Sequence, residues 1–435
     1  MQKNIFIFLA LATFSGCATY NEKPIDLRED ATPTAENSSE TFPKTLGFED
    51  ALQAGLVLNF ELNKARAQYA LSKDVEKESG WWKDPSLSLE GVRQYDPSWQ
   101  TNLAGGLAFT IPVTGLPGLE KEVAAHYREA DYWKLVGAET DFRERLENDF
   151  SALAAIRQKI SLARKRFSEL ENEVRQMDVL AQNGETAPAK HQTVSARRSA
   201  IATELQKLRA DEIAQKLAIA EQIGIHPSVA GKIDFATAPA TEIPENVSAP
   251  SAENLLALPK IREQLASYAA SESELKTEIR RQYPEITLSP GFERDGDSDS
   301  TKMFSLGIGI DLPIWNRNRR AIAAAGGNRE IKRIETIQLW REQLFAVREL
   351  EKRQALAREH CVAEAKFAEA RAKNSEQISR ALELGEADLP DVSEARQETY
   401  SAETDFADSI LELRKIQAKL RAMSARGELS DVSEK

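Results

Sequence analysis

The residue types that most often carry chemistry are few in this sequence, and they do not cluster. The four histidines are scattered along the chain, at His126, His191, His226 and His360. Cys361 follows the last of them, but neighbouring residues point to different faces of a helix, so a metal shared by this pair is not expected. The sequence has no glycine-rich phosphate loop and no Gly-x-Ser-x-Gly element. We therefore expect no enzyme, no cofactor and no bound metal.

Carboxylates are the remaining candidates for a functional site, and they concentrate around two glycines. Glu185 follows Gly184 directly. Gly385 is flanked by four acidic residues: Glu383, Glu386, Asp388 and Asp391. Acidic side chains around a pore attract cations, whereas acidic side chains at the start of a helix stabilise its dipole. The sequence leaves both roles open.

The composition favours long helices in water. The 435 residues are 41% apolar and 29% charged, with only 7% aromatic residues. The formal charge of −12 argues against nucleic acid as a partner, and it suits either a passage for cations or solubility alone. After the first residues, no segment approaches the roughly 18 consecutive apolar residues of a membrane-spanning helix. Any membrane insertion would therefore use strands.

The secondary structure that would position the acidic residues is predicted most clearly from Met303 to Ala325, where a strand changes into a helix. Bulky apolar residues occupy every second position from Phe304 to Leu312. The positions between them are small or polar: Ser305, Gly307, Gly309 and Asp311. This period of two predicts a strand, either in a membrane barrel with an aqueous lumen or over an ordinary core. Pro313 ends the strand, and a helix from about Asn318 to Leu384 would be roughly 100 Å long.

One structural unit is present twice in the chain. Pro85-Ser-Leu-Ser-Leu returns as Pro284-Glu-Ile-Thr-Leu, Phe109-Thr-Ile-Pro as Ile310-Asp-Leu-Pro, and Gly184-Glu as Gly385-Glu, at offsets of 199 to 201 residues. Each copy is predicted to contain a helix, two strands, a long helix, a glycine turn and a final helix. The long helices carry a seven-residue apolar pattern typical of coiled coils.

The repeat defines the expected domain boundaries. The first copy spans residues 45–235, with a helix from Leu46 to Trp82, strands at 86–95 and 102–112, and a turn at residue 184. Residues 236–252 are a linker. The second copy spans residues 253–425, with strands at 285–294 and 303–312 and a turn at residue 385. Residues 426–435 form a C-terminal tail.

The four predicted strands have roughly the length that crosses a bilayer when tilted. Four strands cannot close a barrel, because about eight are needed to enclose a filled interior. The strands of several copies of the protein must therefore be combined if a barrel forms.

The first residues predict an export signal. Lys3 precedes an apolar run from Ile5 to Phe14, and residues 1–16 form a signal peptide too short to span a membrane. Ser15-Gly16-Cys17 resembles the lipobox of bacterial lipoproteins, which implies cleavage before Cys17 and lipidation of Cys17. Ala18 favours the outer membrane by the same resemblance, and plain secretion is the alternative. Residues 17–44 are expected to be an extended, weakly ordered leader.

From Leu46 to about Leu420 the sequence resembles the TolC family of outer-membrane efflux proteins, through the duplicated order of helix, proline and strand. The segment Gly307-Ile-Gly-Ile-Asp-Leu-Pro-Ile-Trp-Asn-Arg-Asn-Arg320 is most similar to the outer-membrane components of heavy-metal efflux systems of the resistance-nodulation-division (RND) type, which are CzcC-like.

The resemblance implies a mainly α fold with a membrane β-barrel portion. In a homotrimer, each chain would give four strands to a twelve-stranded barrel and its helices to a coiled-coil periplasmic tunnel. The implied partners are a periplasmic adaptor (membrane fusion protein), an inner-membrane RND pump and outer-membrane lipid. The protein would be lipid-anchored and inserted in the outer membrane, and would extend into the periplasm.

The resemblance also assigns roles to named residues. The periplasmic tips, which would form the gate and contact the adaptor, contain Gly184, Glu185, Gly385, Glu386, Asp388 and Asp391. The first tip lacks the aliphatic and aspartate residues that follow Gly385 in the second. The candidates for the barrel lumen are Ser305, Gly307, Gly309 and Asp311.

The implied function is passive export, with heavy-metal cations as the expected substrate. Export of drugs or other organic molecules is the alternative. A periplasmic coiled-coil scaffold lipoprotein is a remote alternative, because it leaves four apolar-faced strands unexplained. A tandem-repeat enzyme is disfavoured, since no His, Asp or Ser residues cluster at equivalent positions of the two copies.

Overall fold

The computed structural model describes residues 20–27, 42–95, 99–294 and 302–424. The predicted signal peptide, the lipidation candidate Cys17, residues 28–41 of the leader and the tail at 426–435 lie outside these residues. The described chain consists of long helices with one four-stranded sheet, so the expected mainly α fold with a small strand portion is confirmed.

The described helices and strands divide between the two copies of the repeat. The first copy contains β1 (Thr45–Leu46), α1 (Phe48–Leu58), α2 (Phe60–Lys77), β2 (Ser86–Tyr95), β3 (Trp99–Ile111), α3 (Leu116–Gln182), α4 (Pro188–Ile223), α5 (Pro227–Ala230) and β4 (Asp234–Phe235). The second contains α6 (Ala252–Leu255), α7 (Pro259–Arg280), β5 (Ile286–Arg294), β6 (Lys302–Ile310), α8 (Arg319–Glu383) and α9 (Leu389–Ser424).

The expected single helix from Leu46 to Trp82 is wrong, because Asn59 divides it. The backbone of Asn59 is extended, and its side chain accepts a hydrogen bond from the Leu62 N–H at 2.9 Å. Asn59 therefore caps the start of α2. Its amide nitrogen also donates to the Gln222 carbonyl at 2.6 Å, which holds the break against the end of α4.

Both strand pairs leave the sheet through the same proline turn. The Val113 N–H bonds to the Ile111 carbonyl across Pro112, and the Ile314 N–H bonds to the Leu312 carbonyl across its proline, each at 2.8 Å. Such three-residue turns suit proline, because its fixed φ matches the central position. The strands end at Ile111 and Ile310, before these turns.

The sheet is antiparallel throughout, in the order β2-β3-β5-β6. Direct partners on adjacent strands lie on the same face. The register therefore collects Leu89, Phe109, Leu288 and Ile308 with other apolar side chains on one face, and mainly small or polar residues on the other. Strands β2 and β6 are the two edges.

The long helices pack side by side. Helix α3 packs against α2, α4, α7 and α9, and α8 packs against α7 and α9. The seven-residue pattern lies largely inside, because Leu153, Ile160 and Leu170 of α3 and Leu413 and Leu420 of α9 are buried. None of the described helices combines the length and the apolar character needed to cross a membrane.

The segment between the copies is fixed to the helices by hydrogen bonds. The Gln354 side chain of α8 bonds both the N–H and the carbonyl of Val247, at 3.0 and 2.9 Å. Gln417 of α9 donates to the Glu245 carbonyl at 2.8 Å. Strands β1 and β4 also pair in parallel, which joins the start of the first copy to its end.

Candidate functional site

The two glycine turns have the same backbone geometry. Gly184 and Gly385 adopt φ values of 75° and 77°. The Gly184 N–H bonds to the Ala181 carbonyl at 3.1 Å, and the Gly385 N–H bonds to the Leu382 carbonyl at 3.0 Å. The next N–H in each copy, of Glu185 or Glu386, reaches five residues back at 2.8 Å. Both long helices therefore end in a Schellman motif, which favours glycine because of its positive φ.

The side chains of Glu185 and Glu386 are exposed. Neither forms an ion pair with another residue in the described part of the chain. Their backbone groups complete the helix caps, and their carboxylates remain in contact with solvent.

Asp391 has a structural role at the start of α9. Its Oδ2 accepts a hydrogen bond from the backbone N–H of Asp388 at 3.0 Å. An acidic side chain in the first helical turn that reaches back to the capping residue satisfies a free backbone donor and favours the helix dipole. The helix-start role left open by the sequence therefore applies to Asp391.

Asp388 connects the two turns. Its Oδ2 accepts a hydrogen bond from Lys190 Nζ at 2.5 Å, and Lys190 follows the first glycine turn. Arg197 of α4 adds a second link, because it donates to Glu394 of α9 at 3.2 Å. Sequence analysis missed Lys190 and Arg197, since no local pattern shows that the two turns meet.

An apolar surface lies beside these ion pairs. Leu180 and Val179 at the end of α3 meet Leu382 of α8 and Leu389 of α9 around an open cavity of about 530 Å³. Val179 is 56% exposed. We call the four side chains of Val179, Leu180, Leu382 and Leu389 the apolar tip surface.

A buried ion pair lies along the helices above the turns. Arg166 and Glu173 of α3 are 2% and 1% exposed, and Arg166 Nη1 lies 2.9 Å from Glu173 Oε1. Arg166 also donates to the Ser393 carbonyl of α9 at 2.7 Å, and Arg396 donates to Glu173 at 3.0 Å. Burial opposes ionisation of Glu173, but the hydrogen bonds from the two arginines hold its pKa below the ordinary value. This network fixes α9 against α3.

The strand register places Ser305, Gly307 and Gly309 on the small, polar face of the sheet. Their direct partners on β5 are Gly291, Ser289 and Thr287. Asp311 lies just beyond the end of β6, where it lines a cavity of about 540 Å³ together with Trp81 and Pro117. Asp311 therefore lies at the junction of sheet and helices.

Two further carboxylates share the small, polar face. Ala104 of β3 is the direct partner of Glu90 on one side and of Glu293 on the other. The two glutamates therefore lie in one row across three strands, roughly 10 Å apart. Sequence analysis missed this row, because strand alternation gives the face of each residue but not the register between strands.

The scattered histidines remain apart. Within the described ranges, no group of three or more His, Cys, Asp or Glu side chains could hold a metal ion. His360 pairs with Glu364 at 3.2 Å, and the neighbouring Cys361 is buried between helices. Burial raises the pKa of the Cys361 thiol, which makes it a poor nucleophile.

Comparison of the whole chain with known structures identifies its fold. It matches the Campylobacter jejuni CmeC outer membrane channel with a TM-score of 0.75 and 15% identity, covering 89% of this chain and 88% of that one. It matches the outer membrane protein VceC from Vibrio cholerae with a TM-score of 0.74 and 14% identity, covering 88% and 97%. The chain has the fold of these outer-membrane proteins.

A third match has the same fold as the first two. The chain matches CusC with a TM-score of 0.74 and 13% identity, covering 86% of this chain and 91% of that one. The CusC structures describe conformational changes that accompany folding and transmembrane channel formation. No protein-family model and no curated protein matches the sequence. The fold expected from the sequence, long helices with a small strand portion, is thereby confirmed, whereas the narrower resemblance to metal exporters stays a prediction.

Proposed function

We propose that this protein is the outer-membrane channel of a tripartite efflux system and passively conducts its substrate out of the cell. The observation that carries the proposal is the two-faced sheet with open edges on top of two very long helical hairpins. An apolar outer face suits lipid, and a small, polar inner face suits a water-filled lumen. The shared fold supports the same proposal.

The open sheet edges require further copies of the chain. Among the described residues, strands β2 and β6 each have one unpaired side, which is not stable in a lipid bilayer. Pairing β2 of one copy with β6 of the next in a homotrimer would give the twelve-stranded barrel. Ser305, Gly307 and Gly309 would then line the lumen, and Asp311 would lie at its periplasmic entrance.

The helices would form the periplasmic tunnel. Helices α3 and α8 contain 67 and 65 residues, so each is roughly 100 Å long. Helix α8 exposes Ile331, Ile334, Phe345 and Leu356. An exposed apolar face of this size favours contact with a neighbouring copy, and the trimer would cover it.

The glycine turns would form the periplasmic tip. Lys190 and Asp388 would hold the two hairpins together in the closed state, and Glu185, Glu386 and Asp391 would surround the opening. The apolar tip surface would contact the periplasmic adaptor, which connects the channel to an inner-membrane RND pump. Movement of one hairpin relative to the other would open the passage.

We propose heavy-metal cations as the substrate. The row of Glu90 and Glu293 would give six carboxylates in a trimeric lumen, two from each of three chains, and such a ring favours cations. The charge of −12 and the segment from Gly307 to Arg320 agree with this assignment.

We also propose that Cys17 carries a lipid that anchors the leader in the outer membrane.

The first test is the conductance of the detergent-purified protein in a planar bilayer, with its mass determined in parallel. We expect trimers that give small, cation-preferring currents. A water-soluble protein without channel activity after removal of the lipid would contradict the proposal and favour a periplasmic scaffold. Efflux of drugs but not of metal ions from cells that express the complete system would contradict only the substrate assignment.

A further inference from the structure

The apolar face of the sheet ends in a group of basic side chains. Arg93, Arg294 and Lys302 lie at the end of the sheet that is remote from the helices, and all three are exposed. The register places Arg294 directly opposite Lys302, and alternation along each strand puts both on the face that carries Phe292 and Phe304. Arg93 lies on the same face, opposite Thr101. We call these three residues the basic rim.

The positive charge of the basic rim is not balanced within the described residues. Like charges directly opposite each other destabilise a strand pair, and no carboxylate in the described part of the chain forms an ion pair with any of the three. The other end of the sheet differs, because Lys83 pairs with Glu285, and Arg281 pairs with Glu120 and Glu278. Within the described part of the chain, the basic rim is therefore free to bind an anion.

Aromatic rings accompany these charges. The Arg93 guanidinium lies over the Trp99 ring, 5.0 Å from its centroid, and Trp99 contacts Tyr95 at 5.3 Å between centroids. Both rings are exposed. Exposed aromatic residues at the end of an apolar strand face are typical of the boundary between the hydrocarbon and the headgroups of a membrane.

We propose that the basic rim binds the phosphate groups of lipids in the outward-facing leaflet of the outer membrane. The inference rests on the proposed function, because it requires insertion of the sheet. The side chains of Arg294 and Lys302 begin about 5 Å apart and can hold one phosphate between them, while Arg93 can reach a second. The rim borders an open apolar face, so an anion that carries acyl chains can contact the rim and this face at the same time. A phosphorylated lipid meets this condition, and free phosphate does not.

The test measures binding of diphosphorylated lipid A to the purified full-length protein in neutral phosphatidylcholine nanodiscs. The comparison ligands are fully dephosphorylated lipid A and inorganic phosphate. We expect tight binding of the phosphorylated lipid only, and a roughly 30-fold weaker affinity in the Arg294→Gln/Lys302→Gln variant, since each basic residue near a membrane surface contributes about a factor of five. Lys207→Gln/Arg209→Gln on α4 removes the same charge at exposed positions away from the sheet, and this control should bind as the wild type does.

Equal affinity of the Arg294→Gln/Lys302→Gln variant and the wild type would overturn the proposal. Residues 295–301, outside the described part of the chain, include Asp295, Asp297 and Asp299. If changing these three aspartates to asparagine creates lipid A binding that the wild type lacks, they neutralise the rim and the proposal is wrong.

Planar-bilayer conductance is measured on the same samples. A wild type that distinguishes the lipids but does not conduct would contradict the proposed channel function and not the lipid site.

Discussion

Lys190 and Asp388 form an ion pair of 2.5 Å although 198 residues separate them in the sequence. Each follows one of the two glycine turns, so the contact joins corresponding parts of the two repeats. The hydrogen bond to Asp388 raises the pKa of Lys190, which keeps the amine charged. This pair connects the two predicted tips directly.

Removal of this connection should make the channel easier to open. We expect Asp388→Asn to increase the open fraction in planar-bilayer recordings, because the two hairpins lose an attraction at the point where they would separate. The exchanged pair, Lys190→Asp with Asp388→Lys, should restore the wild-type value. Glu369→Gln breaks an exposed ion pair with Lys373 within α8 and serves as the control.

The increase in open fraction caused by Asp388→Asn should be smaller in about 1 M salt, where the Debye length is about 3 Å. An unchanged open fraction in Asp388→Asn would exclude a gating role for this pair.

The glycine turns should be sensitive to a single added methyl group. Gly385→Ala is expected to destabilise the protein by about 1–2 kcal/mol, because alanine is strained at a positive φ. A Cβ at this position would meet no other atom within 4 Å, so backbone strain is the cause. Gly118→Ala in α3 has equally free space but a helical backbone, and it should stabilise by up to about 1 kcal/mol. The measurement is thermal unfolding in detergent, and equal shifts for both variants would contradict the explanation.

The buried pair of Arg166 and Glu173 should matter more than any exposed ion pair. Glu173→Ala leaves the Arg166 guanidinium buried without its main partner, which costs about 3–5 kcal/mol. Replacement of both residues, as Arg166→Met with Glu173→Leu, should cost less, because no charge then remains buried at that position. Denaturant unfolding of the single and double variants tests the difference. A double variant as unstable as Glu173→Ala would show that packing, and not the unpaired charge, dominates.

The same network predicts a dependence of stability on pH. The pKa of Glu173 in the folded protein lies below its ordinary value of 4.5. Its contribution is therefore fully present above about pH 4.5, and it is lost as the pH falls through the folded pKa. Glu173→Gln removes the titration, so its stability should change less than that of the wild type between pH 5 and about pH 3. Parallel stability curves for the two proteins would rule out Glu173 as the source.

The glutamate row should control ion selectivity if the sheet closes into a barrel. We expect Glu90→Gln/Glu293→Gln to reduce the preference for K⁺ over Cl⁻, because these carboxylates face the proposed lumen. The reversal potential under a KCl gradient measures this preference. Glu351→Gln, which changes an exposed carboxylate of α8, should leave the potential nearly unchanged. If the reversal potential shifted in Glu351→Gln but not in Glu90→Gln/Glu293→Gln, the selective region would lie elsewhere.

Much of the fold could be predicted from local patterns. The alternation from Phe304 to Leu312 depends on neighbouring residues, and so do the proline turn at Pro112 and the glycine turns. The duplication supplied a second example of each element, which made the helix and strand order predictable. The boundary at Asn59 was missed, because helix-forming residues continue on both sides of it; its cap on Leu62 is local, and the contact with Gln222 far along the chain holds the break in place.

The sequence by itself determined the repeat, the type of the long helices and of the four strands of the sheet, and the faces of these strands, since these properties follow from residues within a few positions of one another. Only the tertiary structure placed Lys190 beside Asp388, aligned Glu90 with Glu293 and buried Arg166 and Glu173 of α3 against α9. These relationships depend on strand register and helix packing between segments that are distant along the chain, and many alternative pairings would satisfy the same local patterns. The signal peptide and the lipidation of Cys17 stay predictions from the sequence.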